Sequence, residues 1–157
     1  MPYALEKMLV VRTHRENKAM NHVVHCQGEF NRALNLRHQR ETEHSEFRSW
    51  RIDEERRLFK NLQEEPATVQ DVMLFMDTTS ALREDQAVKA RQVVEAREQA
   101  KTAEEDLLKA RKDYAAAYRK KVKIEEHKAV WEEDDRFRTE QDAEKEMEEF
   151  VIINLRK

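Results

Sequence analysis

Pro66 is the one proline inside this 157-residue chain; Pro2 stands at its start, and Gly28 is the single glycine. Chain reversals draw on Gly, Pro and Asn because those residues supply the backbone angles that turns require. A sheet protein of this length needs many such reversals, and this chain provides for one. A phosphate cradle of the Rossmann or P-loop kind needs several glycines where the backbone approaches the phosphates, so both are excluded. The lone cysteine, Cys26, excludes a disulfide framework and any cysteine-rich zinc site. Charged residues make up 40% of the chain, against about 25% in an ordinary domain. What remains is an all-α protein with one place to turn.

The turn falls at Gln63–Thr68. Pro66 disfavours helix at Glu65 and removes a backbone donor. Thr68 followed by Asp71 forms a capping-box pattern that restarts the helix. A second break is expected at Asp77-Thr78-Thr79-Ser80, four residues that favour caps over helix interiors. These signals predict a long antiparallel two-helix coiled-coil hairpin as a single domain over 1–157. Arm one covers about 4–62, the turn and tip about 63–80, and arm two about 81–155. The surplus length of arm two is taken up either by an overhang of its last twenty or so residues or, as the Asp77–Ser80 cap favours, by a short helix from Thr68 to Asp77 at the tip. An arm of some sixty residues spans roughly 90 Å.

Arm two carries the clearest periodicity. Val93, Ala96, Ala100, Ala103, Leu107, Ala110, Tyr114 and Ala117 follow spacings of three and four, and the series continues through Lys121, Ile124, Lys128 and Trp131. A sustained 3.5-residue repeat is the seam of a left-handed coiled coil. Alanine at most of the first eight positions allows a close partner helix. Arm one follows the pattern more loosely, through Leu5, Leu9, Ala19, Val23, Cys26, Phe30 and Ala33, then Phe47, Trp50, Leu58 and Leu62. Between them, Arg37 to Glu46 offers no apolar residue. With a tip helix, Phe47 and Trp50 would lie opposite Ala96 and Val93, and Phe30 opposite Tyr114. The segment Val72–Met76 is five apolar residues in a row, too many for one helix face.

Little here suggests chemistry. Cys26 stands four residues after His22, but a third and fourth metal ligand are missing, and a core or half-buried thiol is the plainer reading. His14, His22, His25, His38, His44 and His127 form no metal-binding pattern and read as surface residues. The carboxylates have no cleft to desolvate a pair and separate their pKa values. No catalytic, cofactor-binding or metal-binding residue is expected, and the chain reads as no enzyme.

Net charge is only −3, which argues against nucleic acid as a partner. No apolar run is long enough to span a membrane, and the start does not read as a secretory signal. A cytosolic location fits these features and a reduced Cys26. Charge by segment is more informative. Residues 125–150 hold 4 basic against 12 acidic side chains, just after the basic run Arg119-Lys120-Lys121-Val122-Lys123. The acidic run ends in Phe150-Val151-Ile152-Ile153-Asn154-Leu155, while Tyr3, Leu5, Met8, Leu9 and Val10 make the other terminus apolar. A hairpin would bring these ends together, either to pack on each other or to present a docking surface.

Three stretches together resemble a known family. Trp50-Arg51-Ile52-Asp53-Glu54-Glu55-Arg56-Arg57-Leu58-Phe59 is similar to the WRxDEExxLF segment of the YscO family of type III secretion proteins. Leu5-Glu6-Lys7-Met8-Leu9-Val10-Val11-Arg12, with Arg15 and Ala19, resembles the start which that family shares with the flagellar FliJ stalk. His127-Lys128-Ala129-Val130-Trp131 with Glu146-Met147-Glu148-Glu149-Phe150 resembles its acidic C-terminal helix. The sequence is most similar to the Yersinia-like injectisome class, a virulence apparatus of Gram-negative bacteria.

The resemblance implies a stalk akin to the gamma subunit of rotary ATPases, peripheral to the inner-membrane secretion apparatus. It would link the hexameric export ATPase to the export gate and handle secretion chaperones, without cofactors or membrane insertion. By that analogy the terminal end enters the ATPase ring, through Leu5, Met8, Leu9 and Arg12 with Met147, Phe150 and Val151. The turn end faces the gate or a chaperone through Phe59, Leu62, Val72, Phe75 and Met76. The alternative is a non-stalk adaptor, either a chaperone escort or a homodimeric scaffold. A hairpin that satisfies its own seam should be a monomer alone, and a scaffold a dimer.

Overall fold

The computed structural model describes residues 2–155, which form two helices, α1 (Glu6–Glu64) and α2 (Val69–Leu155). They run antiparallel as a helical hairpin, and no strand occurs among the described residues. Contacts group into two units, Val24–Leu108 around the turn and Met1–Val23 with Lys109–Lys157.

The turn is built as local chemistry dictates. α1 stops at Glu64, two residues before Pro66. Thr68 Oγ1 accepts from the Asp71 backbone N–H at 3.2 Å, while Asp71 Oδ2 accepts from the Thr68 N–H at 2.9 Å and its hydroxyl at 2.8 Å. Two donors that the helix start leaves unpaired are thus satisfied reciprocally. The Thr68 carbonyl accepts the first helical bond, from Val72 N–H at 3.2 Å. Hydrogen bonds from Thr68 also hold the Asp71 carboxyl below its ordinary pKa.

The expected break at Asp77–Ser80 is absent, and with it the tip helix. α2 runs unbroken through these residues. Thr78 Oγ1 donates to the Leu74 carbonyl at 2.8 Å, and Thr79 Oγ1 to the Met76 carbonyl at 3.1 Å. Hydroxyls that elsewhere compete with the helix are here spent on its own preceding turn. The register follows the shorter turn. The Lys89 ammonium sits over the Phe47 ring, 5.3 Å from its centroid, where the tip-helix register places Ala96. Arg51 Nε donates to Gln86 Oε1 at 2.5 Å, so the Trp50–Val93 pairing is also displaced. Tyr114, expected opposite Phe30, has its hydroxyl 3.5 Å from Glu16 Oε1. From Ala96 to Lys89 is one heptad, a slip that returns seam positions to seam positions.

In the turn-proximal unit, Val93, Ala96, Ala100 and Leu107 of α2 are buried, and Ala103 is half-buried. The residues between them are mostly exposed, so burial follows a single narrow strip. On α1, Cys26 is buried, Phe30 and Phe47 are half-buried, and Trp50 is 50% exposed. The polar interval of α1 also lies in the interface. Arg40, Glu41, Glu43 and His44 are half-buried, and Arg97 Nε donates to Glu41 Oε1 at 2.8 Å across the helices. In the other unit Ala110 is buried, and Val23, Tyr114 and Ala117 are half-buried.

Gly28 lies inside α1 with no positive φ, and a Cβ built there meets only the Arg32 Nη2 atom, at 3.8 Å. No turn or close approach demands glycine there. Gly28→Ala should therefore stabilise the hairpin by about 0.5–1 kcal/mol, through the unfolded chain's lost freedom. A raised thermal midpoint at unchanged helical content would register it.

Candidate protein-interaction surfaces

Around the turn, the five expected contact residues divide into two groups. The Phe59 and Phe75 rings meet across the hairpin with centroids 6.1 Å apart, although Phe59 is still 50% exposed. Leu62 and Phe75 line a cleft of about 290 Å³ with Leu58, Pro66 and Leu74. These side chains close the hairpin. Val72 and Met76 instead face solvent, with 40% and 62% of their surface exposed, and Val69 and Met73 join them at 77% and 60%. Sequence reasoning missed Val69 and Met73 as contact candidates; the signal was the apolar run that no single face could absorb.

The WRxDEExxLF stretch builds a polar clasp beside this end. Glu55 Oε1 accepts from Arg51 Nη1 at 2.7 Å on its own helix and from Arg83 Nε at 3.2 Å on α2. Arg51 adds its bond to Gln86, so the two helices are tied by two guanidiniums meeting one carboxylate and by the Arg51–Gln86 bond. The Arg83 and Arg51 guanidiniums hold the Glu55 carboxyl below its usual range. Glu54 is paired with Arg57 on the outer side of α1, and Trp50 rests on Phe47 at 5.5 Å.

In the terminal unit, Tyr3 folds back onto α2. It is buried, its hydroxyl lies 2.7 Å from His127 Nδ1, and its ring packs at 5.4 Å from Trp131. Lys128 Nζ reaches Glu6 Oε2 at 2.9 Å, and Lys121 Nζ donates to Glu16 Oε2 at 3.1 Å. Those carboxylates raise the pKa of both lysines. The lysines that interrupt the apolar seam are thus ion-paired across it. A single aromatic residue ahead of a helix carries no periodic signal, so the sequence marks Tyr3 as part of an apolar terminus without indicating its partners.

The seven residues expected to form one terminal site are not brought together. Leu5, Leu9 and Arg12 are half-buried on α1, and Met8 is 45% exposed. α1 begins beside Lys128, whereas α2 continues past Trp131 to Leu155. The rise from Trp131 to Met147 is roughly 24 Å. Met147, Phe150 and Val151 stand on this overhang with 71%, 68% and 53% of their surface exposed. The apolar C-terminal run therefore does not pack on the N-terminal residues. Without the tip helix, the surplus length of arm two appears here. Residues 132–149 carry ten acidic against three basic side chains.

Among the described residues no group of His, Cys, Asp or Glu is arranged to hold a metal ion, and no helix is long and apolar enough to cross a membrane. The family model of the type III secretion protein YscO matches residues 5–152. The chain belongs to the YscO family. No curated protein matches it. Its fold is similar to the solved structure of a candidate YscO homologue of Chlamydia trachomatis, with a TM-score of 0.78 at 16% identity over 98% of this chain and 94% of that one. At that identity the likeness is one of fold. The YscO match spans the clasp, the turn and most of the overhang.

Proposed function

We propose that this YscO-family protein is the stalk of a type III secretion system, joining the hexameric export ATPase to the export gate and engaging secretion chaperones. The observation that carries this reading is the end of α2. Phe150, Val151, Ile152, Ile153 and Leu155 are each more than half exposed. At about 100° per residue they distribute around the full circumference of the helix. A helix apolar on all sides calls for burial on all sides. A central opening in an ATPase ring encloses a helix in this way; a flat surface does not. The alanine seam keeps the hairpin narrow, and the hairpin satisfies its own seam, which fits a monomer rather than a homodimeric scaffold. The protein would act at the cytoplasmic side of the inner-membrane apparatus.

The test uses purified cognate export ATPase. Met147→Ser, Phe150→Ser and Val151→Ser combined should weaken binding at least about a hundredfold and abolish stimulation of ATP hydrolysis. Helical content and thermal midpoint should stay unchanged, because these side chains touch no second helix. Undiminished binding by this variant would remove the ring assignment. Leu5 and Leu9 are unsuitable for that test, since they are half-buried in the hairpin itself.

A further inference from the structure

The first two turns of α2 are apolar on two opposite sides, and α1 uses one of them. Leu74, Phe75 and Thr78 line the cleft against Leu58 and Leu62 of α1. Val69, Val72, Met73 and Met76 occupy the spacing i, i+3, i+4, i+7, within about 100° of the helix circumference and on the far side from that cleft. All four are exposed, between 40% and 77%. The spacing is that of an amphipathic helix whose apolar face is read by a partner. The hairpin does not use this face.

Its surroundings restrict the occupant. From Asn61 to Leu82 the chain holds four carboxylates, Glu64, Glu65, Asp71 and Asp77, and no Lys or Arg. A second copy of this chain would bring the same four negative charges to the contact. It would also bury far less than the roughly 800 Å² per partner of a stable interface, since the stripe is only two turns long. A flat partner helix would meet the same shortage of area. A groove encloses the stripe on three sides and buries the most surface per residue. Two methionines among the four anchors suit grooves of differing shape, because the thioether side chain adapts its rotamers.

We infer that Val69, Val72, Met73 and Met76 form a helical anchor that inserts into an apolar groove rimmed by Lys or Arg on a partner protein. This rests on the stalk reading only in the choice of partners to try, and it assigns the turn-end contact to the outer face of α2. Phe59, Leu62 and Phe75 are left to close the hairpin.

The probes are the purified cytoplasmic domain of the cognate export gate and the purified cognate chaperones, tested separately. Val69→Ser, Met73→Ser and Met76→Ser combined should weaken binding to one of them at least about tenfold, with helicity and ATPase binding unchanged. Glu64→Gln, Glu65→Gln and Asp77→Asn combined should slow association and flatten its salt dependence. If the unaltered protein binds a probe and the serine variant binds equally well, the anchor is overturned while the stalk reading stands. If the unaltered protein binds neither probe, the stalk reading fails at this end, and a photo-crosslinker at position 73 in secreting cells judges the anchor alone. Crosslinks mapping to a basic-rimmed groove of another protein support it. Crosslinks only to a second copy, or none, overturn it.

Discussion

Leu107→Ala should cost the hairpin about 2–4 kcal/mol, read as a fall in the midpoint of thermal or denaturant unfolding. Leu107 is 3% exposed and is the one leucine among the buried residues of the described chain, the others being Tyr3, Cys26, Val93, Ala96, Ala100 and Ala110. Two helices bury one strip each, so the side chains fully withdrawn from water are few and each carries a large share of the stability. Removing three carbons from the widest of the aliphatic ones loses their transfer energy and leaves a gap that rigid helices close poorly. The converse change sharpens the argument. Ala110 is 1% exposed, and Ala110→Leu should destabilise by about 1–3 kcal/mol through overpacking, although it adds apolar surface. If both variants melt like the parent, the alanine strip is not the interface that holds the helices together.

The second large effect is expected at the clasp. Glu55→Ala should cost about 1–2 kcal/mol at neutral pH, because it removes the only carboxylate paired with the Arg51 guanidinium among the described residues and leaves that side chain, 14% exposed, with Gln86. The figure stays low because Arg83 is 69% exposed and its half of the bridge is screened by water and salt. The same carboxylate predicts the direction of the pH dependence. Arg83 and then Arg51 depress its folded pKa below the ordinary 4.5. A depressed carboxylate contributes fully above its unfolded pKa, and that contribution fades as pH falls through the folded value. Glu41, held down by Arg97, adds in the same sense. Melting temperature should therefore drop as pH is lowered from about 5 to about 3, with a shallower drop in Glu55→Gln. An identical acid limb in that variant would assign the effect elsewhere.

Much of the fold was legible because helices and turns are local. Pro66 and the Thr68–Asp71 pair act on their own neighbours, and the spacing from Val93 to Ala117 needs no knowledge of a partner. Register was not legible, because a heptad seam looks the same after a seven-residue slip. The decision passed to whether Thr78 and Thr79 break the helix or bond back into it, and both options satisfy their hydroxyls. The separation of the seven terminal residues was not legible for the same reason. Its two halves meet only if arm two spends its surplus at the tip, and instead α2 runs on past Tyr3. At the turn end, Val72 and Met76 were legible as exposed apolar residues. Their separation from Phe75 required knowing which side of α2 faces α1.

The seam's indifference to a heptad slip bears on how such a hairpin acquires its length. Adding one heptad to each arm extends the pair by about 10 Å and leaves both the capped turn and the seam pattern intact. The reach of a protein built this way is a modular quantity, set by counting repeats. The parts that cannot be counted in repeats are the turn, the clasp that ties Arg51 and Glu55 to Gln86 and Arg83, and the lone run of α2 beyond Trp131. The repeat that sets span and the features that interrupt it are thereby encoded in different stretches of the chain, and either can be altered without rewriting the other.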